Sequence, residues 1–134
     1  MSKTKLQVEY DFDFCLIGIV SSEKDFRICW MLNNHLGWKL AKTDDHASGA
    51  GSHSIFMFSE EELLRDYYLI VNKSDSGKLL IDEHQHTDYF IIIKGEITDE
   101  EKKYFAEQIK TLNSVSASYL IDANTLKSKQ NLIF

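Results

Sequence analysis

Leu79-Leu80-Ile81-Asp82-Glu83-His84-Gln85-His86-Thr87-Asp88-Tyr89-Phe90-Ile91-Ile92-Ile93-Lys94-Gly95-Glu96-Ile97 is the stretch whose reading decides the fold. Its second half holds an unbroken apolar run, Tyr89 to Ile93, rich in β-branched and aromatic residues and closed by Gly95. A half-exposed strand would alternate, so a continuous run of this length between turn residues predicts a strand buried on both faces. The first half is the densest set of ionisable groups in the chain. A central strand with a charged approach is the expectation.

Upstream, Leu6, Val8, Tyr10, Phe12 and Phe14 alternate with Lys5, Gln7, Glu9, Asp11 and Asp13, which predicts a strand with one wet side. Cys15 to Val20 continues it more deeply, with Gly18 as a bend or bulge. Ser22 and Asp25 suggest the cap of a helix with Phe26, Cys29, Trp30 and Asn33 on one face, Leu32 and Leu36 adjoining, and Gly37 as its stop. Trp38-Lys39-Leu40 suggests the start of another strand. The small, polar segment Thr43 to His53 reads as a mobile loop. Ile55 to Phe58 and Tyr67 to Val71 read as strands joined by an acidic connector, and Asn72 to Gly77 as a turn.

Downstream, Thr98 and Glu101 form a capping box, with Asp99 and Glu100 at the positive end of the helix dipole. Phe105, Ile109 and Leu112 make the buried stripe of that second helix. Tyr119-Leu120-Ile121 reads as a last strand. These elements predict an α+β fold: one mostly antiparallel sheet with two amphipathic helices packed on one face, the other face left wet. No repeat or linker divides residues 1–134, so one domain is expected.

The chain has 134 residues, 43% of them apolar, and a formal net charge of -6. That balance suits a globular chain and argues against phosphate-backbone binding, which needs clustered Lys and Arg. Cys15 and Cys29 are the only cysteines and lie in apolar surroundings, as core residues do. No stretch approaches the ~20 apolar residues of a membrane span, and Met1 to Lys5 leads into no apolar signal core. The expected setting is the cytoplasm.

Ile81, Glu83, Asp88 and Tyr89 sit at the spacing of the signature IPExxxVDY, and the chain resembles the Bacteroidetes family named for it. Asp82 replaces the signature proline and Thr87 the valine. Further resemblance lies in Tyr10 to Phe14 with Leu16 to Ile19, in Asp25 to Trp30, in Asp88 to Glu96 and in Leu126 to Phe134. The resemblance implies a cytoplasmic bacterial setting and genes neighbouring those for ribonuclease III and pyruvate kinase. It supplies no activity.

For chemistry, Asp82, His84, His86 and Asp88 would project from one face of an extended strand, as metal ligands do. At ~3.3 Å per residue Asp82 and Asp88 stand about 20 Å apart, so one ion takes only a neighbouring pair. His84 and His86 with a third ligand from His46, Asp44 or His53 are the minority metal candidates. A solvated turn outweighs them, because the signature leaves positions 84 to 86 unspecified. Asp88 beside Tyr89 suggests a general base with an orienting phenol, against the weightier reading that both satisfy local hydrogen bonds. Asp11 and Asp13 read as surface acids, and Trp30 and Trp38 as core or core edge. Lys102, Lys103, Lys110, Lys127 and Lys129 read as a solvated face.

The apolar ending Leu132-Ile133-Phe134 either docks on its own domain or meets a partner, which makes it a candidate interface. No glycine-rich phosphate cradle or nucleophile elbow is present. The leading expectation is a non-catalytic cytoplasmic binding or adaptor protein that self-associates or binds another cytoplasmic protein, with no cofactor. A metal-binding protein using His84 and His86 comes second, and an RNA- or ribosome-associated factor third.

Overall fold

Tyr89–Gly95 has a hydrogen-bonded antiparallel neighbour on each side, so the decisive stretch is an inner strand. The computed structural model describes residues 12–48 and 51–133. In chain order its elements are β1 (Cys15–Ser21), α1 (Asp25–Leu36), β2 (Ala41–Lys42), β3 (His46–Ser48), β4 (Gly51–His53), β5 (Ile55–Glu60), β6 (Arg65–Val71), β7 (Tyr89–Gly95), α2 (Asp99–Lys110) and β8 (Val115–Ile121). Single 3-10 turns lie at Glu61–Leu63, Asp82–His84, Ala123–Thr125 and Lys129–Leu132. Six strands form one antiparallel sheet in the order β2-β5-β6-β7-β1-β8, and β3 and β4 form a separate hairpin. The fold is α+β, as expected.

The pleat of β7 divides its side chains between two cores. Tyr89, Ile91 and Ile93 join Ile17, Ile19, Ile28, Leu32 and Ile109 beneath the two helices. Phe90 and Ile92 join Leu16, Ile70, Leu80, Ile81, Leu126 and Leu132 on the opposite face. Each such buried side chain contributes roughly 1.5–3 kcal/mol before ordering entropy is charged against it. The second face is therefore not wet. Residues 79–88 and the C-terminal turns cover it, and they carry no helical or strand periodicity by which the cover could be foreseen.

Other local expectations change in position. Residues 5–11 of the first predicted strand lie outside the described residues; Phe12 and Phe14 are both buried in the second core, and β1 begins at Cys15. Gly18 is no bulge, since the register shift falls at Val20/Ser21. A Cβ at Gly18 would come 2.9 Å from the Tyr119 ring, so the glycine makes room for that ring. The first helix has Lys24 rather than Ser22 at its N-cap, without a side-chain cap, while the Ser21 hydroxyl accepts from Glu23 N in the preceding turn.

The buried face of α1 is Ile28, Cys29 and Leu32. Trp30 is 56% exposed, a correction to its expected core position, whereas Trp38 is 7% exposed and packs on Tyr67 and Phe105. Gly37 does terminate the helix, at φ 70°, with its N–H on Asn33 O. Residues 38–40 form no strand. The segment read as a mobile loop contains the β3–β4 hairpin, which pairs His46 with His53. The Thr98–Glu101 capping box is present as expected.

Candidate functional site

The charged approach to β7 is built around a residue that sequence reading passed over as part of a turn. Asn72, 1% exposed, donates through Nδ2 to His84 O at 3.0 Å and Thr87 O at 2.8 Å, and accepts Ile81 N at 3.0 Å through Oδ1. Its main chain adds Leu80 N to Asn72 O and Asn72 N to Asp88 O. Asn72 thus fixes residues 80–88 at both ends through its main chain and within through its side chain. Because Asp82–His84 is a 3-10 turn, the extended geometry that would align Asp82, His84, His86 and Asp88 does not exist.

The four signature residues each join two segments. Ile81 is fully buried in the second core. Glu83 accepts from the backbone N–H groups of Lys127 and Ser128 and, at 2.7 Å, from the Ser128 hydroxyl, so it clasps the C-terminal segment. Burial alone would raise its carboxyl, but these hydrogen bonds outweigh it and hold Glu83 below the usual carboxylate range. Asp88 accepts Ser21 N at 2.8 Å. The Tyr89 hydroxyl donates to Glu23 O, and burial, with Asp25, Asp88 and Glu23 nearby, pushes it up to about 12. Asp88 and Tyr89 are therefore each engaged in a hydrogen bond to the start of the chain leading into α1 rather than with each other.

The candidate metal ligands are not brought together. The His84 ring packs near Phe90 and Tyr119, and His86 is exposed. His46 Nε2 bonds Asn131 O at 2.8 Å, while His53 is fully buried with Nδ1 on Val71 O. Burial holds His53 below the usual imidazole range. Asp44 is exposed. Among the described residues, no three His, Cys, Asp or Glu side chains are placed to hold one metal ion.

Asp13 accepts from Asn124 Nδ2 at 3.0 Å, and Asp11 lies outside the described residues. Cys15 and Cys29 are free and buried; burial pushes the Cys15 thiol up to about 12 against the pull of Lys102. Thiols so placed are poor nucleophiles. The C-terminal tail docks in cis. Leu132 is 1% exposed in the second core and Ile133 packs against it, so neither is an open interface; Phe134 lies outside the described residues.

Arg65, 8% exposed, is a second residue that sequence reading missed. It grips Glu101 with two 2.8 Å bonds and Glu96 O with a third, tying β6 to the start of α2. A shallow cleft of about 470 Å³ lies beside it, lined by Arg65, Glu101 and the chain from Gly95 to Thr98. Another, of about 450 Å³, lies between α1 and the turn after α2 and is lined by Trp30, Met31, His35 and Leu112. Among the described residues the only ionisable side chains lining either cleft are Arg65, Glu96 and Glu101 in the first and Arg27 and His35 in the second.

What remains is the rim of the sheet. One edge is blunted: β2 covers β5 for only two residue pairs, with Lys42 bound to Asp45, and β5 runs out through Ser59 and Glu60. Short, charged edges of that kind resist pairing with another chain. The opposite edge is β8, seven residues of sequence VSASYLI without a charge or proline. Among the described residues, β1 is the only strand paired with it. Leu120 on this strand is 41% exposed. The Ser118 hydroxyl, in a residue 5% exposed, has no hydrogen-bond partner among the described residues.

Among the described residues no helix is long and apolar enough to cross a membrane. No family model, no curated protein and no solved structure matches the chain.

Proposed function

We propose that the chain is a small, non-catalytic binding or adaptor protein of the cytoplasm that self-associates. The observation carrying this reading is the long, uncharged β8 edge, set against an opposite edge that is short and guarded. An open row of backbone donors and acceptors without charged side chains is a template for strand addition. The non-catalytic part is supported by the fate of the most concentrated ionisable groups. Glu83, Asp88 and Tyr89 each hold a backbone or hydroxyl group of another segment, which gives each of them a structural task. The cytoplasmic assignment is supported by two free, buried thiols and by the resemblance to the IPExxxVDY signature.

Static light scattering of the full chain across the micromolar to millimolar range tests the reading. The weight-average mass is expected to rise from that of one chain toward that of two. A constant mass of one chain, with no partner recovered in pull-downs, refutes it.

A further inference from the structure

We infer that the occupant of the β8 edge is a second copy of this chain, placed by a two-fold axis through Ser118 that also pairs the two α2 helices in register. The inference rests on the self-association proposed above and specifies its interface. Three features bear on one axis.

The first is the strand itself. An uncharged edge pairs antiparallel with its own copy without opposing like charges. Centred on Ser118, the pairing sets Val115 against Ile121, Ala117 against Tyr119, and Ser118 against the Ser118 of the copy. The second is the orphaned hydroxyl. Among the described residues Ser118 Oγ is buried and unpartnered, which is costly. Directly opposed residues of an antiparallel pair have Cβ atoms about 4.5–5.5 Å apart, close enough for two serine hydroxyls to bond. With the axis placed at Ser118, each orphaned hydroxyl meets its counterpart on the copy.

The third feature is on α2, which packs against β8. Glu100, Lys103, Glu107 and Lys110 are all exposed and follow one another at three- and four-residue spacing, so they form one stripe. At about 100° per residue this stripe lies on the flank opposite Phe105 and Gln108, which meet Trp38 and His35 on the α1 side. It therefore overhangs the outer edge of β8. On an antiparallel copy centred at Phe105, Lys103 faces Glu107 and Glu100 faces Lys110, with every contact made twice. The two centres agree. Phe105 lies about 8 Å back along α2 from Lys110, and Ser118 about 10 Å along β8 from Val115, so a single axis can pass through both.

Analytical ultracentrifugation of the full chain and of charge-swapped variants tests the interface. Lys103→Glu sets glutamate against Glu107 twice per dimer and is expected to raise the dimer Kd about tenfold. Adding Glu107→Lys restores the opposite pairing and should return the Kd to near that of the native chain, which a merely structural effect would not do. Under oxidation, Ser118→Cys is expected to give a disulfide-linked dimer and Ser116→Cys, exposed on the same strand, none.

A dimer whose Kd ignores Lys103→Glu, or which cross-links through position 116 as readily as 118, overturns this interface while leaving self-association standing. A strict monomer removes both. A monomer whose β8 amides are protected from hydrogen exchange at every concentration assigns the edge to the chain's own residues instead, and overturns the inference.

Discussion

Asn72→Ala should be among the most damaging single substitutions in this protein, although the residue sits in a turn. Truncation removes three hydrogen bonds at once, to Ile81 N, His84 O and Thr87 O. Ile81 is fully buried and Thr87 3% exposed, so the orphaned N–H and C=O have no ready access to water. Each such buried group left unmade costs about 1–3 kcal/mol, and the half-exposed His84 carbonyl adds about 0.5–1. The sum is about 2.5–7 kcal/mol, a large share of the roughly 5–15 kcal/mol that holds a domain of this kind together. For a chain of this length that corresponds to a fall of about 9–25 °C in Tm.

Urea unfolding at constant m-value measures the loss, and hydrogen exchange at the Ile81 amide locates it. Asn72→Asp is the chemical control. It keeps the acceptor for Ile81 N but turns a donor into a carboxylate oxygen against two carbonyls, so it should be at least as harmful at neutral pH and partly recover on acidification. Exposed Lys73→Ala, one residue on, should stay within about 0.5 kcal/mol of the native chain. If Asn72→Ala loses less than about 1 kcal/mol, the claim that this side chain organises the approach to β7 is refuted.

Glu83 is held below the usual carboxylate range, so its contribution is present above the unfolded value of 4.5 and is lost as pH falls through the folded value. The stability difference between the native chain and Glu83→Gln should therefore be flat from neutral pH to about 5 and shrink below it; a difference independent of pH refutes the clasp. Gly95→Ala forces a side chain into φ 115° with its Cβ 2.2 Å from Leu64 O. A loss of about 2–3 kcal/mol is expected by chemical unfolding, and a neutral result would show that the β5–β6 turn yields freely to the end of β7.

Legibility followed the range of the signal. β7, the capping box of α2 and the Gly37 stop are each written in a few adjacent residues, and each stands where the sequence puts it. Where two readings of one local pattern compete, sequence cannot arbitrate. α1 carries Phe26 and Trp30 on one stripe and Ile28, Cys29 and Leu32 on another, and only the packed sheet chooses the second. The β3–β4 hairpin was hidden for a different reason: His-Ala-Ser and Gly-Ser-His have no apolar alternation to betray a strand.

Asn72 was illegible in a third way. An asparagine opening a turn-rich segment is the commonest of signals for a turn, and nothing local distinguishes it from one whose side chain reaches residues nine to fifteen positions on. The metal candidates failed on the same long-range geometry. Their alignment assumed an extended backbone, and the 3-10 turn that removes it is fixed by Asn72 from outside the segment.

The candidate surface shows what kind of fact topology adds. That Val115–Ile121 lacks charge is visible in the sequence, yet an uncharged strand is ordinary when it lies inside a sheet. β7 is just as uncharged from Tyr89 to Ile93 and needs no further account, because both of its neighbours are present. The order β2-β5-β6-β7-β1-β8 puts the same property at the margin, where it becomes a liability unless something pairs with it. The other margin shows that this chain can guard an edge, since β2 is two residues long and Lys42 is tied to Asp45 beside it. Among the described residues one rim is guarded and the other unpaired, the unpaired one carrying at its midpoint a buried hydroxyl without a partner, and it is this asymmetry that the proposed self-association would resolve.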